Sequence, residues 1–401
     1  MALAGREIAV IGAGIGGLAA ATALAQRRAR VTVFERAPAL GEVGAGLQVA
    51  PNGVAVLEAL GMRDAAEARA GLPQGIELRD HRSDRILARV PLGPTSVARY
   101  GRPYWHFHRA DLLALLAEAA REAGVELRLG TAITQVADTA QGLRVVPEAG
   151  PEHAAEIVVG ADGIRSRLRA DWLEGQPPRF TGHVAWRGLV DAARLGAPGL
   201  AEVARVTVGP GRHLVTYPLR GGRQVNFVAV EERASWTAEG WMEADDPANL
   251  RRAFADWGGP AADLLEGVEE TFLWGLFDHP PLPRWVTGRI ALLGDACHPM
   301  LPYLAQGATM ALEDAWVLAA ELDVAETPER GLLAYEARRA PRAGRVQRAS
   351  ARNGRIFHLR PGIRDAAHLG LRAVSVTAPG LLTRRFDWLF GADVVSDRAT
   401  G

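Results

Sequence analysis

Near the start of the chain, Gly12-Ala13-Gly14-Ile15-Gly16-Gly17 sets three glycines in the spacing G-x-G-x-x-G, between an apolar run at 8–11 and an alanine-rich stretch at 16–28. No other feature limits the possible folds as much. The pattern predicts a strand, a tight turn and a helix, and each glycine has its own task. Gly12 permits the turn, Gly14 lets a pyrophosphate approach the backbone, and Gly17 lets helix and strand pack closely. The helix start then offers unpaired N–H groups and a partial positive charge to phosphates. A second strand at 30–34 carries Val31, Thr32 and Val33 and leads into Glu35 and Arg36. Glu35 stands close to the spacing expected of the acid that accepts ribose hydroxyl bonds. A glycine turn alone could be purely structural. Strand, helix and terminal carboxylate together predict a dinucleotide site, without choosing between FAD and NAD.

At 401 residues the chain is long enough for one large domain or two closely joined ones. Its 46 basic and 46 acidic residues cancel, so nothing points to nucleic acid or an anionic membrane as partner. The basic residues are all arginine and are scattered, a distribution that fits coding bias better than phosphate recognition. The single cysteine, Cys297, excludes an internal disulfide and any cysteine-based metal cluster, and no metal is expected. No basic region with a cleavage site precedes the first strand, and no apolar stretch approaches the roughly 20 residues of a spanning helix. The expectation is a cytoplasmic protein, monomer or homodimer.

Further along, a glycine-rich passage at 41–53 leads into a helix through Leu60, and short strands are expected near 76–79 and 86–90. A helix is expected over 110–123, with strands at 125–129, 143–146 and 157–159. The middle changes character. Antiparallel strands are read at 183–190, 203–208, 213–219 and 224–230, the last three separated by Gly209-Pro210-Gly211 and Gly221-Gly222. Such a meander does not belong inside a doubly wound parallel sheet, so it reads as an inserted second domain. The α/β pattern resumes at 289–293, followed by a helix through Leu322 and two tail helices. One of these is dense in arginine (Arg338, Arg339, Arg342, Arg345, Arg348, Arg352) and reads as a solvated helix face.

Two more carboxylates follow apolar strands. Asp162 lies in Val159-Gly160-Ala161-Asp162-Gly163, and Asp295 in Leu292-Leu293-Gly294-Asp295. Ligands of parallel sheets bind just past the carboxyl ends of strands, although an Asp there can equally serve as a helix N-cap. After Asp295 come Pro299, Pro302, Gln306-Gly307-Ala308 and a helical stretch with Glu313 and Asp314. A helix N-terminus aimed at a flavin ring would stabilise its anionic reduced form.

The segments Gly12 to Gly17 with Glu35, Val159 to Arg167, and Gly294 to Asp314 resemble the single-component (group A) FAD-dependent aromatic hydroxylase family. The third is the most specific and looks most like the branch of salicylate 1-hydroxylases, 3-hydroxybenzoate 6-hydroxylases and 6-hydroxynicotinate 3-monooxygenases. The resemblance implies an α/β fold. Its parts are a Rossmann-like FAD-binding domain of glutathione-reductase type, an inserted antiparallel β-sheet substrate domain, and C-terminal helices. The corresponding division is 1–75, 99–180 and 286–345 for the FAD-binding domain, 76–98 and 181–285 for the substrate domain, and 346–401 for the helices. A thioredoxin-like C-terminal domain, found in phenol-hydroxylase relatives, is not expected.

By the same resemblance, Asp295 would bind the ribityl chain, and Gly307 and Ala308 would present N–H groups to the pyrimidine end of the flavin. Asp162 and Gly163 would lie near the pyrophosphate, with a part in NADH or NADPH binding. Arg109, in His108-Arg109-Ala110-Asp111-Leu112, matches the flavin-contacting arginine. His213 and Tyr217 are four apart on one expected strand and so point to one face; they resemble a catalytic His and Tyr pair that contacts the substrate hydroxyl. Either could instead be a core residue bonded to backbone. Gln306, Pro299 and Tyr303 would line the substrate side, and Gln48 stands where some relatives carry a His. The expected reaction is NAD(P)H- and O2-dependent hydroxylation of a small aromatic acid through a flavin C4a-hydroperoxide. A salicylate-type decarboxylating 1-hydroxylation comes first. The alternatives are 3-hydroxybenzoate 6-hydroxylation, 6-hydroxynicotinate 3-monooxygenation and, from another class, a flavin-binding regulatory protein without oxygenase activity.

Overall fold

A computed structural model describes residues 2–41, 46–140, 142–195, 202–236 and 243–397. Part of the glycine-rich passage, residues 42–45, lies outside them. The expected strand, turn and helix at the N-terminus are Glu7–Ile11 and Ile15–Ala25. Glu7–Ile11 pairs in parallel with Arg30–Phe34 on one side and Ile157–Gly160 on the other. Ile290–Leu292 and Glu126–Arg128 extend the parallel ladder outward, and Val286–Thr287 adds an antiparallel edge. The strands are short and apolar because both faces are covered: Ile8, Val10, Val158 and Val159 are fully buried. Asp162 and Asp295 lie just beyond the carboxyl ends of neighbouring strands of this sheet, on the side of the Gly12 turn.

Among the described residues the second sheet has eight strands. It runs, in spatial order, Glu243–Asp245, Thr271–Asp278, Arg179–Asp191, Gln224–Glu232, Arg212–Leu219, Val203–Gly209, Gly75–Asp80 and Ile86–Pro91. The last three of the four strands read from the middle of the sequence form the expected meander. One pairing departs from that reading: Val203–Gly209 and Gly75–Asp80 run parallel. Strands so far apart in sequence have no hairpin to impose antiparallel direction.

Directly paired residues share a sheet face, and the register sorts the two faces cleanly. Val184, Trp186, Leu214, Phe227 and Ala229 pack against Leu250 of the helix Pro247–Ala253, Phe254 just after it, and Leu264 and Leu265 of the helix Gly259–Glu266. The opposite face carries Ala185, Arg187, His213, Val215, Tyr217, Asn226, Val228, Phe272 and Trp274. It turns toward the nucleotide-binding part, where Trp274, Val228 and Val230 meet Tyr303 and Leu301.

Among the described residues the tail holds four helices rather than two: Pro328–Phe357, Ile363–Thr377, Pro379–Arg384 and Asp387–Phe390. The arginine-dense stretch does not present a simple solvated face. Arg339 is 1% exposed, and Arg342 joins it in salt bridges to acids of the helix Gly307–Val324. Among the described residues, no helix is long and apolar enough to cross a membrane.

Candidate flavin site and substrate face

A cavity of about 880 Å³ opens between the two sheets. Gly12, Gly14, Glu35, Arg36, Arg109, Asp162, Gly163, Asp295 and Pro299 line it from the nucleotide-binding part. Arg187, Phe272, Trp274 and Leu276 line it from the opposite face of the eight-stranded sheet, the candidate substrate face.

The glycine turn behaves as its spacing requires. Gly12 has φ +107°, and a β-carbon there would stand 2.4 Å from the Ala161 carbonyl oxygen. A β-carbon on Gly17 would stand 1.9 Å from the Gly12 carbonyl oxygen. Gly14 differs, with no atom within 4 Å of its missing β-carbon. The open room is where a phosphate can reach the backbone. Glu35 locks the turn to the end of its strand, accepting from the Ala13 N–H at 2.8 Å and the Ala37 N–H at 2.9 Å.

The two later carboxylates are acceptors at the cavity wall, Asp162 half-buried and Asp295 open to the cavity. Asp162 Oδ2 accepts from the Arg167 N–H at 3.0 Å, so this Asp does hold the following helix start, where Ser166 is the cap itself. Asp162 Oδ1 is buried and has no partner among the described residues. Burial raises the Asp162 carboxyl above the usual carboxylate range, against the hydrogen bond from Ser166. Burial raises Asp295 too, against the pull of His298 and Arg109. Arg109 opens the helix Arg109–Glu122, and burial lowers its guanidinium while Asp295 opposes the shift. Acceptors at Asp162 and Asp295, a cation at Arg109 and room above Gly14 fit a flavin dinucleotide, whose ribityl hydroxyls donate and whose pyrophosphate is anionic.

Gln306, Gly307, Ala308, Tyr303, Gln48, His213 and Tyr217 do not line this cavity. Gln306 is the N-terminal flanking residue of the helix Gly307–Val324. Its Oε1 accepts from Asn52 Nδ2 at 3.2 Å, and its buried Nε2 has no partner among the described residues. Gln48 accepts from the Tyr104 hydroxyl at 2.6 Å. His213 and Tyr217 share the substrate face but have separate neighbourhoods. Tyr217 packs on the His106 ring with centroids 4.8 Å apart, and Gly46 is kept free of a β-carbon by the Tyr217 ring, 2.5 Å from where one would stand. Burial raises the Tyr217 hydroxyl well above its usual range, and Arg187 opposes the shift. His213 sits among Tyr303, Phe357 and His358. Burial holds its imidazole well below the ordinary histidine value, helped by His358 and His183.

Three groups escaped the sequence reading. Arg187 is the first. It lies on the substrate face in the otherwise apolar strand around Val184, Ala185 and Trp186, over the Trp274 ring at 4.4 Å. Burial brings its guanidinium down to about 10, and its Nε has no partner among the described residues. Strand alternation with His183 could have assigned its face. The second is a charged network beneath the Asp295 loop. His298 Nε2 meets Asp314 Oδ2 at 2.5 Å, Arg339 Nε meets Asp314 Oδ1 at 2.7 Å, and Arg342 Nε meets Glu313 at 2.7 Å. Asp314 also accepts from the Gly294 N–H at 3.0 Å, tying the loop to the helix Gly307–Val324. The third is the group of His183, Glu232 and His358 around His213. No local signal marks it, because its members come from distant parts of the chain.

Comparison with known proteins bears on the cofactor and the family. The family described as FAD binding domain matches residues 6–350. A 3-amino-4-hydroxybenzoate 2-monooxygenase of Streptomyces platensis is 42% identical over 388 residues, covering 96% of each chain. A 6-hydroxynicotinate 3-monooxygenase of Bordetella bronchiseptica is 37% identical over 351 residues, covering 86% of this chain and 91% of the relative. Among solved structures, a salicylate hydroxylase substrate complex superposes with a TM-score of 0.83 at 27% identity, covering 98% of this chain and 96% of that one. The chain belongs to the FAD-binding-domain family, among the FAD-dependent aromatic monooxygenases.

Proposed function

We propose that this protein hydroxylates the ring of a small phenolic acid, with O2 as oxidant and NADH or NADPH as electron donor. The observation that carries the acid is Arg187. A guanidinium on a cavity wall is costly to bury without an anion, and a planar carboxylate satisfies it through two parallel hydrogen bonds. The named substrates of the two relatives, 3-amino-4-hydroxybenzoate and 6-hydroxynicotinate, are both ring-hydroxylated aromatic acids.

FAD, when bound and reduced, supplies the activated oxygen; the residues of this chain bind the dinucleotide, orient the ring and manage a proton. Gly14, Glu35, Asp162, Asp295 and Arg109 hold the dinucleotide, with Gly307 and Ala308 offering backbone N–H groups from the helix start. Arg187 fixes the carboxylate, and the aromatic walls Phe272 and Trp274 exclude water. A phenol becomes a strong carbon nucleophile when its proton is withdrawn, which is the role of His213. Pro299 closes the pocket from the loop side.

Anchor and base are separated. Arg187 and His213 lie two strands and two residues apart in register, which is roughly 12 Å between Cα atoms at standard strand spacings. That separation suits a hydroxyl meta or para to the carboxylate. Decarboxylating 1-hydroxylation of salicylate is the second reading, favoured by the likeness to the salicylate hydroxylase complex. A screen of the FAD-loaded protein with 3-amino-4-hydroxybenzoate, 3-hydroxybenzoate, 6-hydroxynicotinate and salicylate decides between them by product mass. Products that retain the carboxyl group support the first reading. Catechol from salicylate alone supports the second, and no hydroxylated product from any of the four defeats both.

A further inference from the structure

At one end of the substrate face, polar groups that the flavin cradle does not use form a connected line. His213 Nδ1 lies 2.6 Å from His358 Nε2, and His358 Nδ1 lies 3.1 Å from Glu232 Oε1. His358 follows the last turn of the helix Pro328–Phe357, and Glu232 ends the strand Gln224–Glu232. The line runs from inside to outside. His213 is 1% exposed and His358 6%, whereas the Glu232 side chain is 54% exposed.

Elementary donor and acceptor counting gives this line a direction. An ionised carboxylate only accepts, and a neutral imidazole has one donor nitrogen and one acceptor. Glu232 therefore keeps the His358 proton on Nδ1, which leaves His358 Nε2 as an acceptor. The atom facing it across 2.6 Å must then donate, so the His213 proton sits on Nδ1 and its lone pair on Nε2. Both rings are neutral, as this requires: burial with the nearby His183 brings His358 down to about 4, and His213 is lowered likewise.

We infer that His358 and Glu232 are positioning residues for His213. They present its Nε2 as the base toward the substrate hydroxyl and carry the abstracted proton out to solvent. This rests on the reading of His213 as the base. As His213 Nε2 takes the phenolic proton, its Nδ1 proton passes to His358 Nε2. The His358 Nδ1 proton passes in turn to Glu232, from which water removes it. One proton leaves, the substrate remains as phenolate, and no electron moves.

The surroundings make an onward path necessary. The groups facing His213 are the Tyr303 and Phe357 rings, each with centroids 5.3 Å away, and His358. His183 faces His358 at 5.1 Å, with its own Nδ1 buried and unpartnered among the described residues. An imidazolium held on His213 would thus meet burial and two further histidines. Passing its charge to an exposed carboxylate relieves both.

The test reads the tautomer directly. Nitrogen-15 NMR of selectively histidine-labelled, FAD-loaded protein without substrate is expected to show His213 protonated on Nδ1 near neutral pH. Assignment uses His213→Gln and His358→Gln. In Glu232→Gln the His213 signal should shift toward the other tautomer, and Glu232→Asp should restore it in part. A wild-type His213 protonated on Nε2, or a tautomer indifferent to Glu232→Gln, overturns the inference. A kinetic arm with 3-hydroxybenzoate as probe follows single-turnover product formation against pH. Glu232→Gln should lose about tenfold and change the pH profile, with partial recovery in Glu232→Asp; an unchanged profile counts against the relay. The expected tautomer with no hydroxylation of any phenolic acid would defeat the functional reading alone. Hydroxylation with the wrong tautomer would defeat the relay alone.

Discussion

The His298 imidazole and the Asp314 carboxylate meet at 2.5 Å with both side chains fully buried. Asp314 raises His298 well above the ordinary histidine value despite burial, and is itself held down to about 2 by His298 and Arg339. In the folded protein His298 therefore keeps its proton at pH values where the unfolded chain has released it. Its contribution is complete below about pH 6.5 and is lost as pH rises toward the folded value. The thermal midpoint should fall across that alkaline range, and His298→Gln should flatten the slope. Asp314→Asn leaves Arg339 and His298 without their anion and should cost about 3–5 kcal/mol, measured by denaturant unfolding.

The glycines of the turn separate folding from cofactor binding. Gly17→Ala forces a β-carbon against the Gly12 carbonyl and should destabilise by about 1–3 kcal/mol. Gly14→Ala meets nothing in the chain, so its stability without cofactor should be that of the parent. Its FAD affinity should still drop by about tenfold or more, because the pyrophosphate must approach that backbone. Melting curves of the apoprotein beside a flavin titration check both halves.

Asp295 offers its carboxylate at the cavity wall among groups that do not neutralise it fully. Asp295→Ala should purify with little yellow colour and regain it only at high added FAD. Full occupancy after gel filtration would contradict the ribityl assignment.

Arg187→Gln removes the cation but keeps a polar side chain. A charged hydrogen bond contributes about 1.5–3 kcal/mol, so KM for the acid should rise by roughly tenfold to a hundredfold. Arg187→Lys should recover only part of it, lacking the two-pronged geometry. The corresponding neutral phenol should be indifferent to the substitution. Binding titrations of acid and neutral analogue on the oxidised enzyme check this.

Much of the candidate flavin cradle is legible because its signals are local. Gly12 to Gly17, Glu35, Asp162 and Asp295 each sit in a short strand-and-turn pattern whose meaning does not depend on distant chain. The shared face of His213 and Tyr217 followed from strand alternation alone. What stayed hidden depends on register between remote segments. Arg187 reads as one arginine in an apolar strand until its pairing with Val228 and Phe272 puts it over the cavity. His358 lies 145 residues from His213, beyond any periodic signal. An arginine-rich helix such as the one that holds Arg339 is usually solvated; Glu313 and Asp314, on the preceding helix, are what draw it inside.

Simultaneous measurement of NADH consumed, product formed and hydrogen peroxide released, with FAD-loaded protein and a hydroxybenzoate in air-saturated buffer, separates oxygen insertion from uncoupled oxidation. Oxygen insertion predicts a product one oxygen atom heavier than the substrate, formed nearly one for one with NADH and with little peroxide. NADH oxidation that yields peroxide alone, with every phenolic acid returned unchanged, would contradict it.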